Sequence, residues 1–190
     1  MPKIVDHEQY RKELLGKCFD LFAQKGYAAI TMRQIAECLG VSTGTLYHYF
    51  SSKQALFEQL VEEMCQQDIS AALAELGERK TPQEAMEVLG KYLVKNEDYF
   101  IKWTYLVVDF CQYQDSQEIS GKHVFRRVIQ RYQQVICDFL GIEDLVLASL
   151  VLSLVDGLFL GRLQGNEMIN IPEQCNLLGR ILTAYLHKVS

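Results

Sequence analysis

Apolar side chains recur at helical spacing along most of this chain. Leu15, Cys18, Phe19 and Phe22 follow the i, i+3, i+4, i+7 pattern, which predicts one buried face for a helix over residues 8–25. Comparable stripes predict further helices at about 52–76, 82–95, 97–113, 122–140 and 172–188, a loop at 114–121, and a very apolar stretch at 142–163. The pattern therefore predicts an all-α fold.

Residues 31–53 predict two short helices joined by a tight turn. Thr31 opens a capping box at the start of the first helix, and Gly40 can end it because glycine tolerates the left-handed conformation. Ser42 or Thr43 can cap the second helix. A helix-turn-helix of this kind can place its second helix in the major groove of DNA. An ordinary helical hairpin would share the pattern, but the outward residues favour DNA.

The outward side of this predicted helix-turn-helix carries groups that suit base edges and phosphates. Arg33 can donate to guanine O6 and N7 or to a phosphate, and the methyl groups of Thr43 and Thr45 can meet thymine methyls. His48 either faces DNA or is solvated. The predicted DNA-facing set is Thr31, Arg33, Ser42, Thr43, Gly44, Thr45, Tyr47, His48, Tyr49 and Lys53. Because this set holds little charge, we expect specificity from shape and apolar fit.

The run T-x-R-x-I-A-x-x-x-G-V-S-x-G-T-L-Y-x-Y-F-x-S-K-x-x-L, which starts at Thr31, resembles the N-terminal DNA-binding domain of the TetR family of bacterial transcriptional regulators. Residues 8–62 fit the helical frame of that domain, and the remainder is similar only in length and helical character. The resemblance implies that Thr31, Tyr47, Tyr49 and Lys53 touch the DNA backbone. It also implies a DNA-binding domain at 1–53 and a ligand-binding and dimerisation domain at 54–190.

The charge distribution agrees with a division of this kind. The whole chain has a net charge of −5, which argues against a general nucleic-acid binder. Residues 1–53 contain seven Lys/Arg and five Asp/Glu, whereas residues 54–190 contain twelve and nineteen, so the two parts carry +2 and −7. A mildly basic head on an acidic body fits a protein that touches few phosphates per subunit.

Aromatic residues concentrate in the middle of the predicted body. Members of the TetR family usually enclose a pocket there, so the resemblance implies a mainly apolar effector, such as an aromatic compound or an acyl chain. The candidate ligand contacts are Phe100, Trp103, Tyr105, Val107, Phe110 and Phe125. Alternatively, most of these rings form the core. Asp109, Asp156, Arg126 and Arg162 are charges close to apolar surface that either face a pocket, pair, or are solvated.

The stretch 142–163 is the most apolar part of the chain. Its charges, including Asp156, interrupt it too often for a membrane span, so no membrane association is expected. A helix that is apolar on nearly all sides must be buried all round or covered by a second subunit. With 172–188 it forms the predicted homodimer surface, where Gly157 and Gly161 would allow close approach. A purely internal helix pair is the alternative.

Six cysteines are widely spaced and form no C-x-x-C pair, which favours reduced thiols in a cytoplasmic protein, with Cys18 and Cys38 expected in the core. The N-terminus lacks the apolar run of a signal peptide. Neither a zinc-protease, serine-hydrolase, phosphate-loop nor dinucleotide motif is present, so no enzyme activity, cofactor or metal is expected.

These patterns together predict a homodimeric, DNA-binding transcriptional regulator, most simply a repressor that a small, mainly apolar ligand releases from its operator. Two alternatives remain at this point. One is a thiol-based redox sensor with the same head, and the other is a helical small-molecule binding module without DNA binding.

Overall fold

A computed structural model describes residues 6–77, 81–113 and 120–189, and over these ranges the secondary structure is helical, without strands. The helices are α1 His7–Lys25, α2 Met32–Leu39, α3 Thr43–Tyr49, α4 Lys53–Leu76, α5 Pro82–Lys95, α6 Glu97–Tyr113, α7 Ser120–Leu140, α8 Leu145–Leu163 and α9 Ile171–Val189. The all-α prediction is confirmed for these residues.

The largest difference from the predicted boundaries is at α8. The apolar stretch starts at residue 142, but the helix starts at Leu145 because the Asp144 carboxylate accepts a hydrogen bond from the Val146 amide, at 2.8 Å, and caps it. Ile142 instead packs into the core ahead of the helix. Most of the predicted loop at 114–121 lies outside the described residues, and Ser120 is already helical.

The chain forms two compact units that are discontinuous in sequence. The first unit comprises Met1–Gln66 and Tyr105–Val128, and the second comprises Gln67–Thr104 and Ile129–Ser190. Helices α4, α6 and α7 therefore each contribute residues to both units. The predicted functional boundary at residue 53 is a different kind of division and stays a prediction.

Aromatic rings form the centre of the first unit. Phe57 of α4 stacks on Phe110 of α6 with ring centroids 4.1 Å apart, and Phe22 of α1 meets Phe57 edge to face at 5.7 Å. Tyr27, in the turn after α1, contacts the same two α4 and α6 rings at 5.0 and 4.7 Å. Such offset and edge-to-face pairs stabilise a core beyond the burial of their area. The last two turns of α6 are thereby part of the core beneath the helix-turn-helix.

Helix α9 packs closely on α5 in the second unit. A β-carbon added at Gly179 would lie 2.9 Å from the Cα of Gln83, and one added at Gly90 would lie 3.1 Å from the Cβ of Cys175. Both positions therefore require glycine for the observed approach of the two backbones. This packing fixes which side of α9 remains outward.

A half-buried carboxylate lies among tyrosines in the second unit. The Tyr132 hydroxyl donates a hydrogen bond to Asp68 Oδ2 at 2.9 Å. Burial raises the pKa of Asp68 to about 6, although hydrogen bonding opposes part of this shift. The folded chain therefore holds a proton on Asp68 at pH values where the unfolded chain has already released it.

We predict that Asp68 makes the second unit less stable as the pH rises from about 4 to about 6. The pKa of Asp68 in the folded state lies above its pKa in the unfolded state. The contribution of Asp68 to stability is therefore fully present below the unfolded-state pKa and is lost as the pH rises through the folded-state pKa. Asp68→Asn stays neutral and keeps an oxygen for Tyr132. Urea unfolding should show it to be more stable than the wild type above pH 6, by about 1–2 kcal/mol.

The exposed carboxylate of Asp138 provides the control for this experiment. Asp138→Asn should leave the pH profile of the unfolding free energy unchanged between pH 4 and 8. Identical pH profiles for wild type and Asp68→Asn would show that the buried carboxylate contributes nothing to the pH dependence.

Candidate nucleic-acid interface

Local hydrogen bonds define the helix-turn-helix formed by α2 and α3. Thr31 and Gln34 make the predicted capping box at the start of α2. Gly40 ends α2 in the left-handed region, with φ of 69°, and its amide donates to the carbonyls at the end of the helix. The Ser42 hydroxyl accepts from the Thr45 amide at 2.9 Å, so Ser42 and not Thr43 caps α3. The predicted helix, glycine turn and capped helix are confirmed.

The inner side of this helix pair is fully apolar. Ile35 and Ala36 of α2 are at most 1% exposed, and Leu46 and Phe50 from α3 and its C-terminus are completely buried. Small and branched side chains in the angle between the helices let α3 cross close to α2. Because this side is closed, the opposite side of α3 is the one presented to solvent.

Most of the predicted DNA-facing residues lie on that outward side. The exposed members are Thr31, Arg33, Ser42, Thr43, Gly44, Tyr47 and His48, while Thr45, Tyr49 and Lys53 are half-buried. Tyr47 is 51% exposed, so its ring is open to contact with a partner. The hydroxyls of Thr31 and Ser42 already serve as helix caps. Contact of these ten residues with DNA stays a prediction.

Tyr49 is held in place from α1. Its hydroxyl lies 2.8 Å from His7 Nδ1, and its ring meets the Tyr10 ring edge to face at 5.5 Å. The centroid of the His48 ring lies 6.2 Å from that of His7 and 5.1 Å from that of Tyr49. Nothing in the local pattern around His7 indicates this contact, because it joins residues 42 positions apart.

Lys53 points into the protein and not away from it. Its ammonium donates to the carbonyl of Tyr27 at 2.8 Å and to that of Ile30 at 3.0 Å, and it lies 4.3 Å from the centre of the Tyr27 ring. Partial burial lowers the pKa of Lys53, and the charge of Asp109 offsets part of that effect. Two of its three N–H donors are therefore used within the chain.

The candidate ligand residues fall into two groups. Phe100 stacks on Phe159 at 4.9 Å in the second unit, which also holds the half-buried Trp103. In the first unit Phe110 contacts Phe125 at 5.7 Å, and that unit also contains the exposed Tyr105 and the half-buried Val107. Phe110 is only 1% exposed and belongs to the aromatic core described above.

The four charges that the sequence placed near apolar surface have different environments, and Arg126 is exposed. Arg162 pairs with Glu97, with Nε and Oε1 2.9 Å apart, and Asp156 is exposed. Asp109 is half-buried and accepts a hydrogen bond from the Tyr27 amide. It lies on the same stripe of α6 as the buried Leu106 and Phe110, in agreement with its predicted place close to apolar surface.

Helices α8 and α9 leave large apolar side chains in solvent. Those on α8 include Leu145, Val146, Leu150, Leu160 and Leu163, and those on α9 are Leu177, Ile181 and Tyr185. By length and composition α8 could cross a membrane, with a mean hydropathy of 1.9. One helix of this kind is weak evidence, since a helix covered by a second subunit has the same composition.

The two glycines of α8 have different surroundings. A β-carbon at Gly157 would meet nothing within 4 Å, so this position faces outward and leaves room for an approaching helix. A β-carbon at Gly161 would instead collide with Ile169 of the same chain. Gly161 therefore serves packing within the second unit.

The prediction that Cys18 and Cys38 lie in the core is confirmed for Cys18 and wrong for Cys38. Cys18 is buried, and burial raises the pKa of its thiol to about 12, but Cys38 is exposed. Cys38 lies past the edge of the buried stripe of α2, which is why helical spacing alone placed it wrongly. Among the described residues, no group of three or more His, Cys, Asp or Glu side chains is placed to hold a metal ion.

Comparison with known proteins connects these features to a family. The profile of a family described as "Bacterial regulatory proteins, tetR family" matches residues 14–60, which contain the helix-turn-helix. The HTH-type transcriptional repressor KstR2 of Rhodococcus jostii is 41% identical over 51 residues, which are 27% of this chain and 25% of the relative. The chain thus spans about a quarter of the length of this relative.

Solved structures extend the likeness to the body, at the level of fold. The transcriptional regulator FadR of Bacillus subtilis, in complex with stearoyl-CoA, has a TM-score of 0.70 at 16% identity, over 92% of this chain and 97% of that chain. A putative transcriptional regulator from Saccharomonospora viridis, in complex with choline, has a TM-score of 0.63 at 19% identity, over 93% and 96%. Residues 14–60 therefore match the TetR family of bacterial regulatory proteins, and the remainder of the chain shares its fold with these two solved structures.

Proposed function

We propose that this protein is a cytoplasmic, homodimeric transcriptional repressor that a small effector releases from DNA. The observation that carries the proposal is the closed helix-turn-helix with an exposed recognition side, on which Tyr47 and the groups around it stand in solvent. The match to the family profile at 14–60 and the likeness to the repressor KstR2 support it.

In the proposed complex, α3 enters the major groove and presents residues 42–49 to base edges. The short side chains of Thr43 and Gly44 allow close approach, and Arg33 supplies a positive charge for a guanine or a phosphate. Tyr47 and Lys53 would contact the backbone, Lys53 with the donor that its carbonyl contacts leave. Two heads of a dimer would read half-sites one or more helical turns apart.

The dimer is proposed to form through the outward sides of α8 and α9. Leu177, Ile181 and Tyr185 recur every four residues on α9, so they form one continuous apolar stripe. Leu150 of α8 is exposed in the same way. An exposed apolar surface of this extent is typical of a surface that another subunit covers.

The effector is proposed to be small and mainly apolar. Stearoyl-CoA and choline are bound in two neighbours that share the fold over more than nine-tenths of this chain, which supports a ligand in the body. The candidate contacts are proposed separately for each unit: Phe100 and Trp103 in the second, and Tyr105, Val107, Phe110 and Phe125 in the first. Such a ligand would act only through its different affinities for the DNA-competent and DNA-free conformations.

A thiol-based sensor with the same head is a second candidate, and one observation favours it. The Lys25 ammonium lies 3.6 Å from the sulfur of Cys38, and Cys38 is exposed. An exposed thiol is open to oxidants such as peroxides. In the second unit burial raises the pKa of Cys175 to about 11, so that thiol is a poor sensor.

We predict that Tyr47→Ala weakens DNA binding about tenfold or more and leaves the dimer intact, because the ring is exposed and supports no core contact. The DNA would be a duplex that the wild-type chain selects from a randomised library, and fluorescence anisotropy would give the affinity. Lys53→Ala should also weaken binding, and its plot of log affinity against log salt should be shallower by about 0.9 per subunit if a phosphate contact is lost.

The exposed Gln130 on α7 offers a matched control, and Gln130→Ala should bind as the wild type does. Wild-type affinity in both Tyr47→Ala and Lys53→Ala would contradict the proposed DNA surface. If the wild-type chain selects no duplex at all, the DNA-binding proposal itself is wrong.

We predict that Ile181→Glu converts the dimer to monomers. The side chain is 51% exposed in the single chain, so a charge there costs the fold little, whereas in a dimer interface it would be buried without a partner. Native mass spectrometry would report the change, and Gln130→Glu, outside the apolar stripe, should remain a dimer. A dimeric Ile181→Glu, or a monomeric wild type, would rule out this interface.

We predict that, in the folded protein, a thiol reagent modifies Cys38 quickly and Cys18 only after unfolding. Exposure favours reaction at Cys38, whereas burial removes the thiolate at Cys18. Peptide mapping after a short pulse of reagent would show the order. If peroxide leaves the DNA affinity of the wild type unchanged, the redox candidate is excluded and the ligand-controlled repressor stands.

A further inference from the structure

The turn between α1 and α2 has a backbone that only glycine adopts easily at its first position. Gly26 has φ of 79°, and its amide donates to the Phe22 carbonyl at 2.8 Å, which ends α1. Ile30 directly precedes Thr31, the N-cap of α2. The position of this turn therefore determines where the helix-turn-helix begins.

Asp109 of α6 holds the turn from one side. Its Oδ2 accepts a hydrogen bond of 2.6 Å from the amide of Tyr27, a residue 82 positions away. A β-carbon at Gly26 would lie 3.3 Å from the same oxygen, so the carboxylate lies directly against the backbone. A hydrogen bond to a charged acceptor is stronger than one between neutral groups.

Lys53 holds the same turn through its carbonyls. Its two hydrogen bonds satisfy the carbonyls of Tyr27 and Ile30, and the carboxylate of Asp109 satisfies the amide of the same Tyr27. Asp109 and Lys53 are close enough for the carboxylate to favour the charged ammonium. Three polar backbone groups of the turn are thus paired by two side chains of opposite charge.

Aromatic contacts hold the side chains of Asp109 and Lys53 against the turn. The Tyr27 ring contacts Phe110 at 4.7 Å and Tyr113 at 5.4 Å, both on the part of α6 that carries Asp109. The Lys53 ammonium lies 5.1 Å from the centre of the Tyr113 ring. Movement of this part of α6 would therefore move the turn and not merely the carboxylate.

We propose that Asp109 is a positioning residue for DNA binding, which acts with Lys53 as a clamp on the turn between α1 and α2. The inference rests on the proposed DNA-binding function and adds to it. Asp109 touches neither DNA nor effector in this scheme. It sets the position of Thr31 and α2, and through them of the recognition helix, so the DNA-reading unit includes the second half of a helix from the body.

Two substitutions separate the hydrogen bond from the charge. Asp109→Ala removes the acceptor and leaves the Tyr27 amide without its partner, whereas Asp109→Asn removes the charge but keeps an oxygen that can accept from the amide. Asp109→Glu keeps both properties and displaces the acceptor by one methylene. It serves as the perturbing variant if Asp109→Ala does not fold.

The test measures the affinity of the full-length dimer for the duplex selected by the wild type and for a duplex of random sequence. Asp109→Ala, or Asp109→Glu in its place, should bind the selected duplex about tenfold more weakly. Its affinity for random DNA and its salt dependence should stay those of the wild type, because no phosphate contact is lost. Asp109→Asn should restore most of the affinity for the selected duplex.

Circular dichroism and native mass spectrometry would first show that each variant is folded and dimeric at the temperature of the titration, which removes simple destabilisation as an explanation. Gln112→Ala, an exposed neighbour on α6, is the control and should behave as the wild type. Wild-type affinity of the perturbing variant for the selected duplex would overturn the proposal. Equal losses on selected and random DNA, or a changed salt slope, would also overturn it. A wild type that selects no duplex would instead refute the underlying DNA-binding function.

Discussion

The pairing of backbone polar groups at the turn between α1 and α2 is the constraint on which the recognition surface depends. Tyr27 and Ile30 are buried at this turn, so their polar backbone groups need partners within the protein. Lys53 and Asp109 supply a donor and an acceptor, and the rings of Tyr27 and Phe110 keep them there. Once this turn is fixed, the capping box at Thr31 and the glycine turn at Gly40 fix the two helices that follow.

The outward residues of the head differ in how far the fold already uses their side chains. Thr31 and Ser42 use their hydroxyls as caps, so their contribution to DNA binding would come mainly from the exposed helix ends that they hold. Tyr47 has no such structural task. Tyr49 lies between these cases, because its hydroxyl is paired with His7 and its ring packs on Tyr10. The outward side of α3 therefore carries side chains that the fold holds in place, such as Tyr49, beside side chains with no structural task, such as Tyr47.

In the body, apolar helices are buried on some sides and exposed to solvent on others. Gly90 and Gly179 let α5 and α9 approach closely, which buries Cys175 and Leu182 and turns Ile181 outward. Helix α8 is apolar on nearly all sides, yet much of its apolar surface is exposed to solvent in the single chain. The free energy of burying that surface remains available for association with a second copy.

The sequence by itself determined the helices, the caps and the helix-turn-helix, because these depend on residues at most four positions apart. It also marked the outward residues of α3, since helical spacing assigns faces. Only the tertiary structure decided that Phe110 is core, that Cys38 is exposed, and that Lys53, Asp109 and His7 have partners far away in the sequence. The hydrogen bonds of these three residues join positions between 23 and 82 residues apart, which no local periodicity records.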